Sequence, residues 1–321
     1  MTTVRVAGVG LTPFGDHGDR AGRDLFAEAA AAAVDDAGVD RGAVDRLDYG
    51  NFMGSRAETQ GHQGPLMAEA AGLDCPATRY ESACASAGVA VKAAVEAIRA
   101  GTAEVVVAGG MERMTCLDTG AVTDALAIAA DELYEVRAGM TFPSAYALMA
   151  RAYFDRFGGD RRDLAHIAVK NHANAVPNEY AQYQREITVD DALDAPPVAD
   201  PLHLYDACPI TDGASAIVLV ADDVVAANDL DAPVAITGVG QGGDRLALQD
   251  RDVIAETPAA IGAAEAAYAD SGITAADIDV AEVHDCFTIA EAMALDSLGI
   301  TDPGEGIFAA SDGLTTPDGD C

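Results

Sequence analysis

Short β-branched runs alternate with alanine-rich stretches of helical length through the first hundred residues. Val4 to Val9, Asp24 to Ala37, Asp45 to Phe52 and Gly64 to Ala71 read as strand, helix, strand and helix. Thr78 to Ser82 then reads as a strand, Ala83 to Arg99 as a helix with Gly101 as a C-cap, and Ala103 to Ala108 (AEVVVA) as a strand buried on both faces. Only an α/β layered fold, with helices covering the strands, accommodates such an alternation.

The pattern returns later. The stretch from Val234 (VAITGVGQGG) resembles the opening VRVAGVGLTP, and each is followed by a helical stretch, LFAEAAAAAVDDAG in the first copy and IGAAEAAYADSG in the second. Both copies continue into a run ending in phenylalanine, VDRLDYGNF at Phe52 and DIDVAEVHDCF at Phe287, read as strands, and then into another helix. Four elements in one order predict two repeated halves. Between them, Thr115 to about Leu202 is rich in Tyr, Arg and His, which suits an inserted cap on the first copy better than a linker. The second copy is expected to be incomplete, because the counterpart of the Cys84 segment would begin near Gly319, at the end of the sequence.

Charge excludes whole classes of partner. With 53 Asp and Glu against 19 Lys and Arg the formal net charge is -34, so nucleic acid and anionic membranes are not expected partners. The acidic residues are scattered, as on a solvated surface suited to high salt, where self-repulsion is screened. Neither a signal-peptide pattern nor a membrane-length apolar run is evident, and six cysteines without a CxxC pair fit reduced thiols, so a cytoplasmic protein is expected.

Cys84 lies in RYESACASAGVAVKAAV, where a strand passes through small residues into a helical pattern. A thiol near a helix N-terminus meets unpaired N–H groups that favour a thiolate, and small neighbours leave room for a substrate; a buried cysteine in an alanine-rich core fits the same composition. His284 and Cys286, two apart in a presumed strand, would share a face, or would be a structural histidine and a core cysteine. Zinc fits neither the spacing nor the available companions. GVGQGG at Gly238 to Gly243 reads as a strand-end turn rather than a phosphate loop. Cys75, Cys116, Cys208 and Cys321 read as structural, and His166 and His172 as surface or rim residues.

The run ESACASAGVAVKAAVEAIRAG followed by AEVVVAGGMERMT resembles the nucleophile segment of the thiolase family. HDCF at His284 to Phe287 is similar to the tetrapeptide of sterol-carrier-protein-type and archaeal thiolases. GVGLTPFG, YALMARAYFDRFG and ADPLHLYDACPITDGASAIVLV extend the resemblance over essentially the whole chain. It implies a thiolase fold of two repeated halves in a layered αβαβα sandwich: residues 1–114 as the N-terminal half, 115–202 as the inserted cap and 203–321 as a truncated C-terminal half.

The resemblance implies an acyl-CoA acyltransferase that forms or cleaves acetoacetyl-CoA or another 3-ketoacyl-CoA. Cys84 would carry the acyl group, His284 would hold the thioester oxygen and Cys286 would move the Cα proton. Coenzyme A thioester would be the substrate, with no metal and no bound cofactor. A homodimer is implied, and a small OB-fold and zinc-ribbon protein as a further partner. Met140, Tyr146 and Met149 would border the acyl pocket. The family's Asn-x-Ser-Gly-Gly stretch and Gly-His-Pro motif, whose histidine activates the cysteine, are not found after Thr315. The alternative expectation is a non-catalytic or partner-dependent thiolase-like protein that binds acyl-CoA or lipid.

Overall fold

A computed structural model describes residues 2–321. In chain order the first elements are β1 (Val4–Leu11), α1 (Gly22–Ala37), β2 (Arg46–Gly50), α2 (Gly54–Ala57), α3 (Gln63–Ala70), β3 (Ala77–Tyr80), α4 (Ser86–Arg99), β4 (Val105–Arg113) and α5 (Thr119–Ala127). Next come α6 (Phe142–Phe157), α7 (Arg161–Ala175), α8 (Val189–Asp194), β5 (Pro197–Ala199), β6 (Leu202–His203), β7 (Asp212–Ala221), α9 (Asp222–Asn228) and β8 (Val234–Ile236). The last two are α10 (Pro258–Ser271) and α11 (Thr288–Leu298). The chain divides into two compact units, one comprising the stretch up to Ala125 with Ile210–Val239, the other Leu126–Pro209 with Gly240–Cys321.

The first unit is built on a six-stranded sheet in the order β3-β2-β4-β7-β1-β8. β2 pairs parallel with β3 and β4, while β7 runs antiparallel to both β4 and β1. The period of two along β4 explains the layers. Val105 and Val107 face the core with α1 and α3, where Leu25, Phe26, Ala29, Ala33 and Met67 are buried. Val106 and Ala108 face the opposite core with Ala94, Val95 and Ile98 of α4. A strand covered on both sides reads as a continuous apolar run, which is why AEVVVA was legible. β1 carries small residues for a related reason: a Cβ on Gly8 or Gly10 would meet the Ala33 or Ala29 carbonyl of α1 at 2.2 and 2.0 Å. Gly101, at φ 69°, follows the last turn of α4, and its N–H reaches Ile98 O.

The second unit is mostly helical. α6, α7 and α11 bury Tyr153, Leu164, Ile167, Ile289, Ala292 and Met293 in one core, so the segment expected to cap the first copy shares its core with the second. Tyr153 Oη donates to Asp296 Oδ2 at 2.7 Å, and the same carboxylate accepts from Gly304 N and Gly306 N, tying the turn after α11 to α6. Its only named strands among the described residues are β5 and β6, which pair with each other.

Two expectations from the repeat are corrected here. Residues 277–287 form no named strand, and of VAITGVGQGG only Val234–Ile236 joins a sheet. A strand is defined by its ladder, and no named strand pairs with 279–286, whose Val280 is 76% exposed.

Candidate functional site

Cys84 occupies a tight turn between β3 and α4. Ala83, immediately before it, has φ 47°, a left-handed conformation that costs a residue with a Cβ about 1–2 kcal/mol. Ser86 holds the turn closed, because its hydroxyl donates to Ala83 O at 2.6 Å and accepts from Ser82 N at 2.9 Å. Glu81 Oε1 accepts from Ala83 N at 2.7 Å. Stored strain of this kind persists only where the surroundings over-determine it.

The floor under the turn is made of glycine. A Cβ on Gly50 of β2 would lie 2.3 Å from Ala87 N, and one on Gly110 of β4 would lie 2.4 Å from Gly50 O and 3.3 Å from the Ala87 side chain. The first turn of α4 therefore rests on the bare backbone of two parallel strand ends. This explains why small residues follow Cys84 and why Gly110 closes the VVVAGG run, whereas a Cβ on Gly109 would meet Ser215 O of β7 at 2.2 Å.

Cys84 is exposed, so a substrate can reach it. Its acidity departs from the expectation of a favoured thiolate: protein around the thiol pushes its pKa up, its own backbone N–H opposes this, and the Glu112 carboxylate adds to the rise. Cys84 precedes the N-cap Ala85, so it stands one residue outside the helix and gains little from the helix end.

Glu112 is a participant that the sequence reading missed, although it lies in the GGMER run. It accepts from Phe52 N at 2.5 Å and from Met53 N at 3.1 Å, clamping the turn after β2 to the end of β4. Asn51 reinforces the clamp by donating to Met111 O at 2.6 Å and accepting from Gly54 N at 2.9 Å. Burial raises the Glu112 pKa to about 7, against the two backbone donors and Arg79. Asp212 is a second missed group: fully buried, it accepts from Met114 N, Thr115 N, Thr115 Oγ1 and His17 N, joining the loops after β4 and β1.

His284 and Cys286 belong to the second unit, on the stretch that leads into α11. His284 is exposed, Asp285 is exposed and Cys286 is half-buried. Protein packed along one side of the ring lowers the His284 pKa and the Asp285 charge opposes that. Cys286 O accepts from Cys208 N at 3.0 Å, and Phe287 bridges to Ala207. Cys208 thus meets the HDCF run through its backbone. Thr288, the first residue of α11, donates to the buried Asp206 carboxylate at 2.9 Å.

Met140, Tyr146 and Met149 line one cavity of about 220 Å³, with Phe142, Ala145 and Leu248. The Tyr146 ring stacks on Phe287 at 4.7 Å and lies parallel to Phe142 at 6.2 Å, so an aromatic column runs from that cavity to the residue after Cys286.

The other candidates have structural surroundings. GVGQGG contributes Gly240 and Gly242, on which a Cβ would meet Ala263 O and Ala259 O of α10 at 1.9 and 2.0 Å. Cys116 donates to Ala57 O, Cys75 packs against the first core, and Cys321 borders a cavity with Lys170. His172 Nδ1 contacts Arg185 O at 3.0 Å and its ring meets Tyr205 edge-on, whereas His166 is half-buried on α7. Among the described residues no group of His, Cys, Asp and Glu could hold a metal ion, and no helix is long and apolar enough to cross a membrane.

Comparison with known proteins follows the same lines. The acetyl-CoA acetyltransferase of Methanothermobacter thermautotrophicus is 40% identical over 321 residues, spanning all of this chain and 83% of that protein. The acetyl-CoA acetyltransferase of Methanocaldococcus jannaschii is 38% identical over 310 residues, spanning 95% of this chain and 78% of that protein. A solved structure described as an Ltp2-ChsH2(DUF35) aldolase aligns with TM-score 0.82 and 29% identity, covering 97% of this chain and 81% of that one. The thiolase N-terminal domain matches residues 4–223 and the thiolase C-terminal domain-like family residues 240–321, and the chain therefore belongs to the thiolase family.

Proposed function

We propose that the chain is an acyl-CoA acyltransferase that forms or cleaves acetoacetyl-CoA or another 3-ketoacyl-CoA, with Cys84 as the acyl carrier. The observation that carries this is the Cys84 turn, an exposed thiol raised on a strained residue over a glycine floor. The two relatives named acetyl-CoA acetyltransferase support the reaction class.

In synthesis the Cys84 sulfur attacks the thioester carbonyl and CoA leaves as its thiol; in cleavage it attacks the 3-keto carbonyl, the C2–C3 bond breaks and the acetyl-CoA carbanion leaves and is protonated; in both the acyl group stays on sulfur. In the second step the carbanion of acetyl-CoA takes the acyl group in synthesis, and CoA takes it in cleavage. Both steps place negative charge on an oxygen that needs donors, and His284 supplies one in this reading. Cys286 moves the Cα proton. Coenzyme A thioesters are the substrates, and no metal takes part.

The raised Cys84 pKa favours a second form of the reading, in which the chain depends on a partner to reach full activity. A neutral thiol beside a carboxylate is a poor nucleophile until a base takes its proton. The DUF35 component of the solved relative gives that partner a chemical precedent, and a second copy of this chain is the other expected associate.

The experiment is to incubate the purified chain with acetoacetyl-CoA and CoA in molar potassium chloride, follow loss of acetoacetyl-CoA against formation of acetyl-CoA, and locate any adduct by peptide mass spectrometry. An acetyl group on Cys84 that turns over and disappears in Cys84→Ala supports the enzyme. A folded chain without an adduct supports the partner-dependent form.

A further inference from the structure

Two neighbouring residues of α7 face the first turn of α11. Lys170 Nζ lies 2.7 Å from Glu291 Oε1, a charge contact rather than a well-angled hydrogen bond. Asn171 Nδ2 donates to Glu291 Oε2 at 2.8 Å and to Asp285 Oδ2 at 3.0 Å. Both partners of Asn171 are carboxylates, which only accept, so the amide must turn its nitrogen towards them. Its two hydrogens are then both engaged, one on each carboxylate.

The anchor of this arrangement is Glu291. It is 3% exposed, lies in the first turn of α11 where a negative charge is favoured, and faces the ammonium of Lys170. The buried Glu291 carboxyl, held against Lys170, fixes the Asn171 side chain, and the remaining N–H points at Asp285. Asp285 is exposed and sits on a stretch without a ladder, where an unheld carboxylate would sample several rotamers.

We propose that Asn171 is a positioning residue: by holding the Asp285 carboxylate in one place it fixes where negative charge stands beside His284 in the tetrapeptide. This rests on the reading of His284 as a site residue. Asp285 is the chain neighbour of His284, and its charge favours the protonated imidazole. The other charged groups around the tetrapeptide are Lys170 on α7, Glu291 on α11, Glu282 on the same stretch, and Asp206 with His203 on the turn bonded to Thr288.

The test uses the full chain with 15N-labelled histidine, and follows the His284 ring nitrogens by NMR as pH is raised. The sequence has six histidines, so His284→Gln identifies the signal. Asn171→Leu keeps the side-chain outline and removes both donors. It is expected to lower the titration midpoint of His284 by a few tenths to about one pH unit, as the Asp285 charge swings away into water. Asp285→Asn should give a fall of the same sign and size, and the double variant should fall no further, because both act on one link. Asn171→Gln, which keeps the amide, should return the midpoint towards that of the wild type. If Asn171→Leu disturbs the fold by circular dichroism, Asn171→Ser carries the same expectation. An unchanged midpoint in the Asn171 variants, or additive falls in the double variant, overturns the proposal. Failure of the site reading would show separately, as undiminished Cys84 adduct turnover in His284→Gln.

Discussion

The two copies of the repeat dock a helix in the same way and yet end in different secondary structure. In the first, Gly8 and Gly10 receive the carbonyls of Ala33 and Ala29; in the second, Gly240 and Gly242 receive those of Ala263 and Ala259. The helix-docking surface is therefore repeated almost atom for atom. Gly8 and Gly10, however, lie in β1 and pair with Val218 and Ala216 of β7, whereas residues 237–246 join no ladder. The same holds further along, where β2 lies between β3 and β4 but 279–286 has no strand partner. Helix docking needs only a local pattern and a partner helix, while a strand needs neighbours supplied from elsewhere in the chain.

Hydrogen exchange offers the widest test of that contrast. Amides of Leu47 and Tyr49 in β2 should exchange only through opening of the first unit, whereas those of Val280 to Val283 should exchange at least about 10³-fold faster, on the order of 4 kcal/mol less protected. Equal protection would mean that 279–286 is laddered in solution, and the difference between the copies would disappear.

Substitution at the glycines sharpens the same comparison. Gly10→Val forces a side chain into Ala29 O within a strand laddered to β7, and should cost about 4 kcal/mol or prevent folding. Gly242→Val meets the same obstacle on a stretch that can move aside, with an expected cost of about 1–2 kcal/mol by urea unfolding. Equal losses would show that both glycine pairs are equally constrained.

The phenylalanine turns differ in their response to pH. The first is clamped by the Glu112 carboxylate and the second by backbone contacts to Ala207 and Cys208. Because the folded pKa of Glu112 is raised from 4.5 to about 7, the folded chain holds its proton more tightly than the unfolded one. Stability from this group is full below about pH 4.5 and is lost as pH rises through 7, on the order of 3 kcal/mol in all. Glu112→Gln should remove that portion of the pH dependence, and an unchanged stability difference from wild type between pH 4.5 and 7 would refute it. The smallest effect is expected at Ala83→Gly. Relief of the left-handed strain exceeds the added freedom of the unfolded chain, giving a gain of about 0.5 kcal/mol with the Cys84 adduct slower to form.

Much of the first unit was legible because its signals are local. VVVA between two helical stretches has few alternatives to a central strand, and the small residues around Cys84 marked the turn before its geometry was known. The repeat was legible too, but its register was not. Matching valines set Val234 against Val4, which pairs Gly8 with Gly238; the packing pairs Gly8 with Gly240, because the glycines that admit the helix, not the valines beside them, fix the docking. The strand expected over DIDVAEVHDCF failed for the opposite reason, since alternation can propose a strand but cannot supply its neighbours. Within the site, the acidity of Cys84 was misjudged because the fold packs protein around the thiol, with the Glu112 charge adding to the rise. Asn171 was invisible, since its partners lie 114 and 120 residues away.

The Lys170 ion pair has a practical consequence for labelling. Lysine occurs at two positions, and Lys170 presents its amine to a buried carboxylate with a side chain only 13% exposed. Lys92 stands on α4 with its amine beside the exposed Glu96. An amine-reactive dye applied to the folded protein therefore reaches Lys92, 24% exposed on the helix that follows the Cys84 turn, ahead of Lys170, and the side chain that reacts late reports the moment at which α7 and α11 come apart.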